Sequence, residues 1–231
     1  MASAVPVARK HEYRATTLKM LSFVCTESLT RTIRNNSMSD KKPPGMGLRP
    51  PYASFKLRDE QIHLLETEIA AEVEKAGGLE QGKVGNVGDA RDEIRRSEIL
   101  FMPNNIAVNS FCHNIFRDAN RQLYGFHLEK IWDLQYTEYD ASYEGHYDWH
   151  CDTIWNSSTW YQRKLSMTIQ LSSSYEYEGG EFELQNTPLP ATYQDKGTVL
   201  MFPSYLNHRV LPVTKGKRKS LVAWIEGPLF V

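Results

Sequence analysis

The chain has 231 residues, 41% of them hydrophobic and 11% aromatic, with a formal net charge of -1. That is enough for one sizeable core, but it lacks the global basic field that would draw it to nucleic acid. No run of about 18 apolar residues occurs, so no membrane-spanning helix is expected, and the three cysteines (Cys25, Cys112, Cys151), with no Cys-x-x-Cys spacing, argue against a disulfide framework and for a reducing, cytoplasmic compartment.

Residues 1–52 hold nine Lys or Arg against three acids, Glu12, Glu27 and Asp40, and close on Lys41-Lys-Pro-Pro-Gly-Met-Gly-Leu-Arg-Pro-Pro51. A basic, Ser/Thr-rich stretch with such an end reads as a disordered tail and extended linker. An organelle transit segment has the same composition, and Met38 is an alternative initiator. The folded unit is expected over 53–231, with helical support over 53–128 and a β core over 129–231.

Residues 59–76 are predicted helical: Asp59 caps the start, Ile62, Leu65, Ile69 and Val73 form one stripe, and Gly77-Gly78 stops it. Gly82, Gly85 and Gly88 are spaced by three, but they follow no strand and precede no Lys-Ser or Lys-Thr. They read as a mobile loop and not as a phosphate cradle. A strand is expected over Glu98–Met102. A second helix is expected over 105–123, with Phe111, Ile115 and Ala119 on one side and Gly125 at its end.

From about residue 130 the texture changes to strands. They are expected over Lys130–Asp140, Gly145–Asp152, Arg163–Ser172, Glu181–Leu184, Thr198–Phe202, His208–Val213 and Lys219–Ile225. In the third of these, Leu165, Met167, Ile169 and Leu171 alternate with Ser166, Thr168 and Gln170. Two helices followed by some seven short strands predict an all-β sandwich or jelly roll with helices packed outside.

Chemistry concentrates in Gly145-His-Tyr-Asp-Trp-His150-Cys-Asp152. Two His-x-Asp pairs overlap there, His146 with Asp148 and His150 with Asp152, and all four residues share one parity along a strand. Sites on β scaffolds sit where strands open into loops, which favours His150 and Asp152 and leaves His146 and Asp148 deeper, or as supporting partners. With His208 as a third ligand the set is two imidazoles and one carboxylate, the facial triad of non-heme Fe(II) oxygenases. Arg218 can clamp a carboxylate with two parallel hydrogen bonds. A lone histidine is ordinarily just hydrogen-bonded, and a structural zinc site would need four closed ligands.

These residues carry a resemblance. Over residues 95–227 the chain resembles the prolyl 4-hydroxylase-like (PKHD-type) branch of the Fe(II)/2-oxoglutarate-dependent oxygenases. The matching pieces, in order, begin with Tyr139, Tyr147-Asp-Trp-His150-Cys-Asp152, Arg163-Lys-Leu-Ser-Met-Thr-Ile-Gln-Leu171 and Tyr177-Glu-Gly-Gly-Glu181. They continue with Gly197-Thr-Val-Leu-Met-Phe-Pro203, His208-Arg-Val-Leu-Pro-Val213 and Gly216-Lys-Arg218-Lys-Ser220-Leu-Val-Ala-Trp224.

The resemblance implies a double-stranded β-helix core, mainly β with supporting α. It implies Fe(II) held by His150, Asp152 and His208, with 2-oxoglutarate as cosubstrate, O2 as oxidant and ascorbate as an auxiliary reductant. Arg218 would pair with the far carboxylate of the cosubstrate, and Ser220 and Tyr139 would add hydrogen bonds. Gln170 stands where relatives often place a tyrosine, and its amide can still donate. The implied reaction is oxidative decarboxylation of 2-oxoglutarate to succinate, coupled to hydroxylation of an unactivated C–H bond. A prolyl residue of a peptide or protein is the substrate by branch; a free amino acid or small metabolite is the alternative, and a jelly-roll binding module without catalysis is the non-enzymatic one.

Around this set, Trp149, Trp155 and Trp160 are candidates for a stacking surface over the substrate, against core packing as the plain reading. Arg95 and Arg96 are candidates for a substrate carboxylate, against surface solvation. Lys215, Lys217 and Lys219 read as a solvated turn around Arg218, and Cys151 as a buried small residue.

Overall fold

The computed structural model describes residues 51–84, 92–102, 105–155 and 159–230, apart from the side chain of Trp132. The basic stretch up to residue 50, and Gly85 and Gly88 of the glycine-spaced loop, lie outside the described residues.

After strand β1, Ala53–Lys56, comes helix α1, Asp59–Ala76, which buries Ile62, Leu65 and Ile69. Gly77 ends it in the left-handed conformation at φ 77°, a cap that glycine adopts without a Cβ penalty. Its start differs from the expected Asp59 cap. Arg58 is the N-cap, and its backbone N–H donates to the Gln61 side chain at 3.0 Å. Asp59 falls in the first turn, where its charge suits the helix dipole. Helix α2, Ile106–Ala119, is capped by Asn105, whose side chain accepts from the Val108 N–H at 3.0 Å. The chain winds on through Asn120–Tyr124 in a wider turn before Gly125.

The strands are β2 (Glu80–Gln81), β3 (Arg95–Arg96), β4 (Glu98–Phe101), β5 (Lys130–Asp140), β6 (His146–His150) and β7 (Tyr161–Gln170). They continue with β8 (Tyr177–Gly179), β9 (Phe182–Leu184), β10 (Thr198–Pro203), β11 (His208–Val210) and β12 (Val213–Pro228). The larger sheet runs β1-β10-β7-β12-β5-β4-β2, with β8 paired to β12; the smaller runs β3-β6-β11-β9. Every pairing is antiparallel. Two such sheets, with helices against the larger one, make the expected jelly roll.

Alternation along the strands decides which residues see which layer. Leu165, Met167 and Ile169 of β7 join Leu221, Ala223 and Ile225 of β12 in one buried cluster with Leu65 and Ile69 of α1 and Phe111, Ile115 and Phe116 of α2. A second cluster, with Tyr139, Tyr177, Phe182, Phe202 and Val210, joins strands of both sheets. The polar residues of β7 are not on the surface: Ser166, Thr168 and Gln170 are buried, and Thr168 lines the cavity described below.

One expectation fails in this region. The final strand is not Lys219–Ile225 but the 16-residue β12, which runs straight through the basic segment read as a turn. That segment lacks apolar alternation, so its pattern could not announce a strand. Pairing with β8 and β5 makes it one, assisted by Lys215 on Glu178 at 2.7 Å and Lys217 on Asp140 at 3.3 Å.

Candidate metal and cosubstrate site

Strand β6 carries a register shift against β11: His150 opposes His208, while Tyr147 opposes Val210. Three steps on one strand therefore match two on the other, which is a bulge. It breaks the parity on which the two His-x-Asp pairs looked equivalent. Tyr147, not Asp148, shares a face with His150, and their rings stack 3.5 Å apart. Asp148 turns out to solvent, where its carboxylate accepts from the Trp149 N–H at 2.7 Å. His146 is half-buried and its Nδ1 bonds the Glu144 carbonyl. Asp148 does not lie deeper than His150; of the two expected alternatives it takes the supporting one, through its backbone carbonyl, which holds His150 Nδ1.

Past the end of β6 the N–H groups of Asp152 and Thr153 both donate to the Ser204 carbonyl, at 2.9 and 3.1 Å. This tight hold fixes Asp152 inward, where it is buried. His150 Nε2 lies 3.9 Å from Asp152 Oδ1, and His208 Nε2 lies 3.5 Å from Oδ2. The three ligand atoms are all within 4.8 Å of one another. Such spacing admits one ion bonded at about 2 Å to each.

The tautomers suit that use. His150 Nδ1 bonds the Asp148 carbonyl at 2.7 Å and His208 Nδ1 bonds the Leu206 carbonyl at 3.0 Å. A carbonyl can only accept, so each Nδ1 carries the hydrogen, and each Nε2 presents a lone pair to the space beside Asp152. Burial, then the neighbouring His208, pushes the His150 imidazole down to about 3. Burial alone would raise Asp152, but the charges of His208, His150 and Arg163 and a hydrogen bond from Ser166 Oγ at 2.6 Å bring it to about 2. A neutral imidazole and an ionised carboxylate are the forms that bind a cation.

A cavity of about 190 Å³ opens beside these residues. From the larger sheet Tyr139, Arg218, Ser220 and Trp224 reach its wall; from the smaller come Arg95, Tyr147 and His208. Arg218 and Tyr139 are cross-strand partners, as are Ser220 and Gln170. Arg218 is buried, forms no ion pair with any described carboxylate, and leaves its Nε without a partner. A buried charge in that state is costly, and a ligand carboxylate would relieve it. Gly180, at φ 65°, makes room for it, since a Cβ there would stand 3.2 Å from Arg218 Cδ. Trp224 Nε1 is a second buried donor without a partner on the cavity wall.

The remaining sequence candidates fall into two groups. Arg95 lines the cavity and is buried, while its neighbour Arg96 points outward near Glu144. Gln170 is buried but does not line the cavity; its amide donates to the Tyr177 hydroxyl at 2.7 Å. Trp149, Trp155 and Trp160 are exposed and do not line it either. Trp149 is exposed beside Asp148 at the bulge, under the Arg209 guanidinium at 4.6 Å, and Trp155 lies 6.1 Å from Phe230. Cys151 is only half-buried and borders the cavity. Sequence reasoning passed over Tyr147, Ser166, Ser204 and Tyr177 as site residues. The buried polar alternation of β7 was the available signal for Ser166.

Residues 134–226, which include all three converging side chains and Arg218, match the family model of the 2OG-Fe(II) oxygenase superfamily. Over that stretch the chain is similar to the members of that superfamily. Its cofactors, Fe(II), 2-oxoglutarate and O2, fit the three-ligand set and the unpaired Arg218. A PKHD-type hydroxylase of Synechococcus sp. (strain CC9311) is 30% identical over 165 residues, covering 70% of this chain and 66% of the relative. The chain thus spans just under two thirds of that relative, and 44% of a second, from Gloeothece citriformis.

Among solved structures, a Pseudomonas putida prolyl-4-hydroxylase superposes with a TM-score of 0.60 at 20% identity, over 77% of this chain and 93% of that one. A Trichoplax adhaerens prolyl hydroxylase, solved with a hypoxia inducible factor peptide fragment, superposes with a TM-score of 0.61 at 12% identity, over 96% and 94%. At these identities the likeness is one of fold. No helix among the described residues is long and apolar enough to cross a membrane.

Proposed function

We propose that the chain is an Fe(II)- and 2-oxoglutarate-dependent hydroxylase of an unactivated C–H bond, with a prolyl residue of a peptide or protein as substrate. One observation carries the reading: two Nδ1-tethered imidazoles turn their Nε2 atoms toward a single buried carboxylate, beside a buried arginine that lacks a counter-ion. His150, Asp152 and His208 would hold Fe(II), leaving open positions as the facial triad does. Arg218 would take the distal carboxylate of 2-oxoglutarate, where a planar fork suits better than a lysine point charge, with Ser220 and Tyr139 alongside.

Iron held there with 2-oxoglutarate would supply, from O2, the oxidising power for the hydroxylation, with succinate and carbon dioxide as the other products. The protein's own work would be to keep the His150 imidazole neutral, hold Asp152 ionised, fix the cosubstrate against Arg218 and wall the cavity with Phe182, Phe202 and Tyr147.

The prolyl substrate is supported by the two similar structures being prolyl hydroxylases, one of them bound to a peptide. The small cavity favours a second reading, a free amino acid or other small metabolite. We further propose that 53–231 forms the oxygenase unit with 1–52 dispensable to it, and that the setting is the reducing cytoplasm, which agrees with Cys112 and Cys151 being free thiols. The test is succinate formation with Fe(II) and 2-oxoglutarate across proline-containing peptides and free amino acids. Turnover is expected in wild type and lost in His150→Ala, Asp152→Ala and His208→Ala. A wild-type protein that neither binds iron nor consumes 2-oxoglutarate would refute the reading.

A further inference from the structure

Arg95 is a second buried arginine on the cavity wall, and the proposed chemistry leaves it unused. It is 6% exposed and forms no ion pair with any described carboxylate. Strand alternation on β3 sends it inward while Arg96 goes out. Its guanidinium is held rigidly: Nε donates to Ser97 Oγ at 2.8 Å and Nη1 to the Lys83 carbonyl at 3.0 Å. Nη2 bonds none of the described residues. The guanidinium carbon stands 4.7 Å over the Tyr147 ring, whose other neighbour is the His150 imidazole. One aromatic ring therefore separates this cation from the His150 imidazole.

The surroundings are shaped to keep it there. Gly82 donates its N–H to the Ser97 carbonyl at 2.7 Å, and a Cβ at Gly82 would come within 2.7 Å of Arg95 Nε. Positioning Tyr147 does not explain a buried charge, because an apolar side chain would pack that ring without the desolvation cost. Under the reading above, the two carboxylates of 2-oxoglutarate are taken by iron and Arg218. Among the described residues Asp152 is the one acid on the cavity wall, against Lys83, Arg95, Arg163 and Arg218, and it faces the imidazoles. Arg163 already has Asp133 at 3.4 Å. Arg95 has nothing.

We propose that Arg95 binds a carboxylate of the substrate, so that the oxidised molecule carries an acid close to the hydroxylated carbon. This rests on the oxygenase reading and narrows its substrate class. The acid can be the free carboxylate of an amino or imino acid, or the side chain of an acidic residue beside a peptidyl proline. A planar fork held by two of its nitrogens gives direction as well as charge, and so fixes which C–H bond faces the metal.

The test uses the full chain loaded anaerobically with Fe(II) and 2-oxoglutarate, its loading followed by visible absorption. Two ligand pairs are titrated by calorimetry: L-proline against L-prolinamide, and acetyl-Asp-Pro-amide against acetyl-Asn-Pro-amide. At least one acid is expected to bind ten-fold or more tightly than its neutral isostere. Arg95→Gln should bring that ratio to about one, and Arg95→Lys should retain part of it. The pair that discriminates identifies the source of the acid. A wild type showing no acid preference in either pair, including no binding at all, overturns the proposal without any variant; so does a preference that survives in Arg95→Gln. Failure of the loaded absorption to form would instead refute the oxygenase reading.

Discussion

Asp152 is the carboxylate on which both imidazoles converge, and Asp148, four residues earlier, is exposed. Asp152→Ala is therefore expected to lose iron, and Asp148→Ala to keep it within about two-fold, as read by competition against a colorimetric chelator. The imidazole of His150 gives a second expectation. In the unfolded chain it titrates near 6.5; in the fold it is held down to about 3. Between those values the unfolded state binds a proton that the native state refuses. Metal-free protein should therefore lose stability as the pH falls from about 6.5 toward 3, at up to ~1.4 kcal/mol per pH unit. Asp152, held down to about 2, adds a loss in the same direction below its unfolded value near 4. Urea melts across that range check the slope, which His150→Gln should flatten above pH 4.

At the scale of elements, the His-x-Asp strand shows where sequence pattern ends. The identities and order of His150, Asp152, His208 and Arg218 were legible because few other roles ask for those side chains in that sequence. Their facing was not. Period-two counting makes His146, Asp148, His150 and Asp152 equivalent, and only the bulge opposite β11 separates them. A bulge depends on the partner strand and so leaves little local mark. The length of β12 was hidden for a related reason: its basic half is a strand because β5 and β8 pair with it. The helix spans, set by local periodicity and by Gly77, were legible to within a residue at α1, while its cap was misread because Gln61 reaches back to Arg58.

The turn between β8 and β9 has a consequence of its own. A methyl group at Gly180 would meet Val213 Cγ2 at 2.8 Å and crowd Arg218, on a backbone at φ 65°. Gly180→Ala is expected to cost about 1–2 kcal/mol of stability. It should also raise the 2-oxoglutarate concentration for half-saturation, with iron affinity little changed. Thermal melts and a succinate assay against 2-oxoglutarate concentration separate the two effects.

For the molecule as a whole, the division of labour between layers matters most. His150 and His208 stand on the smaller sheet, with Asp152 just past its β6, while Tyr139, Arg218 and Ser220 stand on the larger. A dicarboxylate gripped at one end by the metal and at the other by Arg218 would rivet the two layers together. Melting temperature should then rise more with Fe(II) and 2-oxoglutarate together, without oxygen, than the sum of the separate rises, by linkage to the folded state. A matrix of melts over the two concentrations checks it. Each catalytic cycle would also draw out its own rivet, so that a cell short of the keto acid holds a looser, more protease-sensitive protein, and abundance would follow metabolic supply.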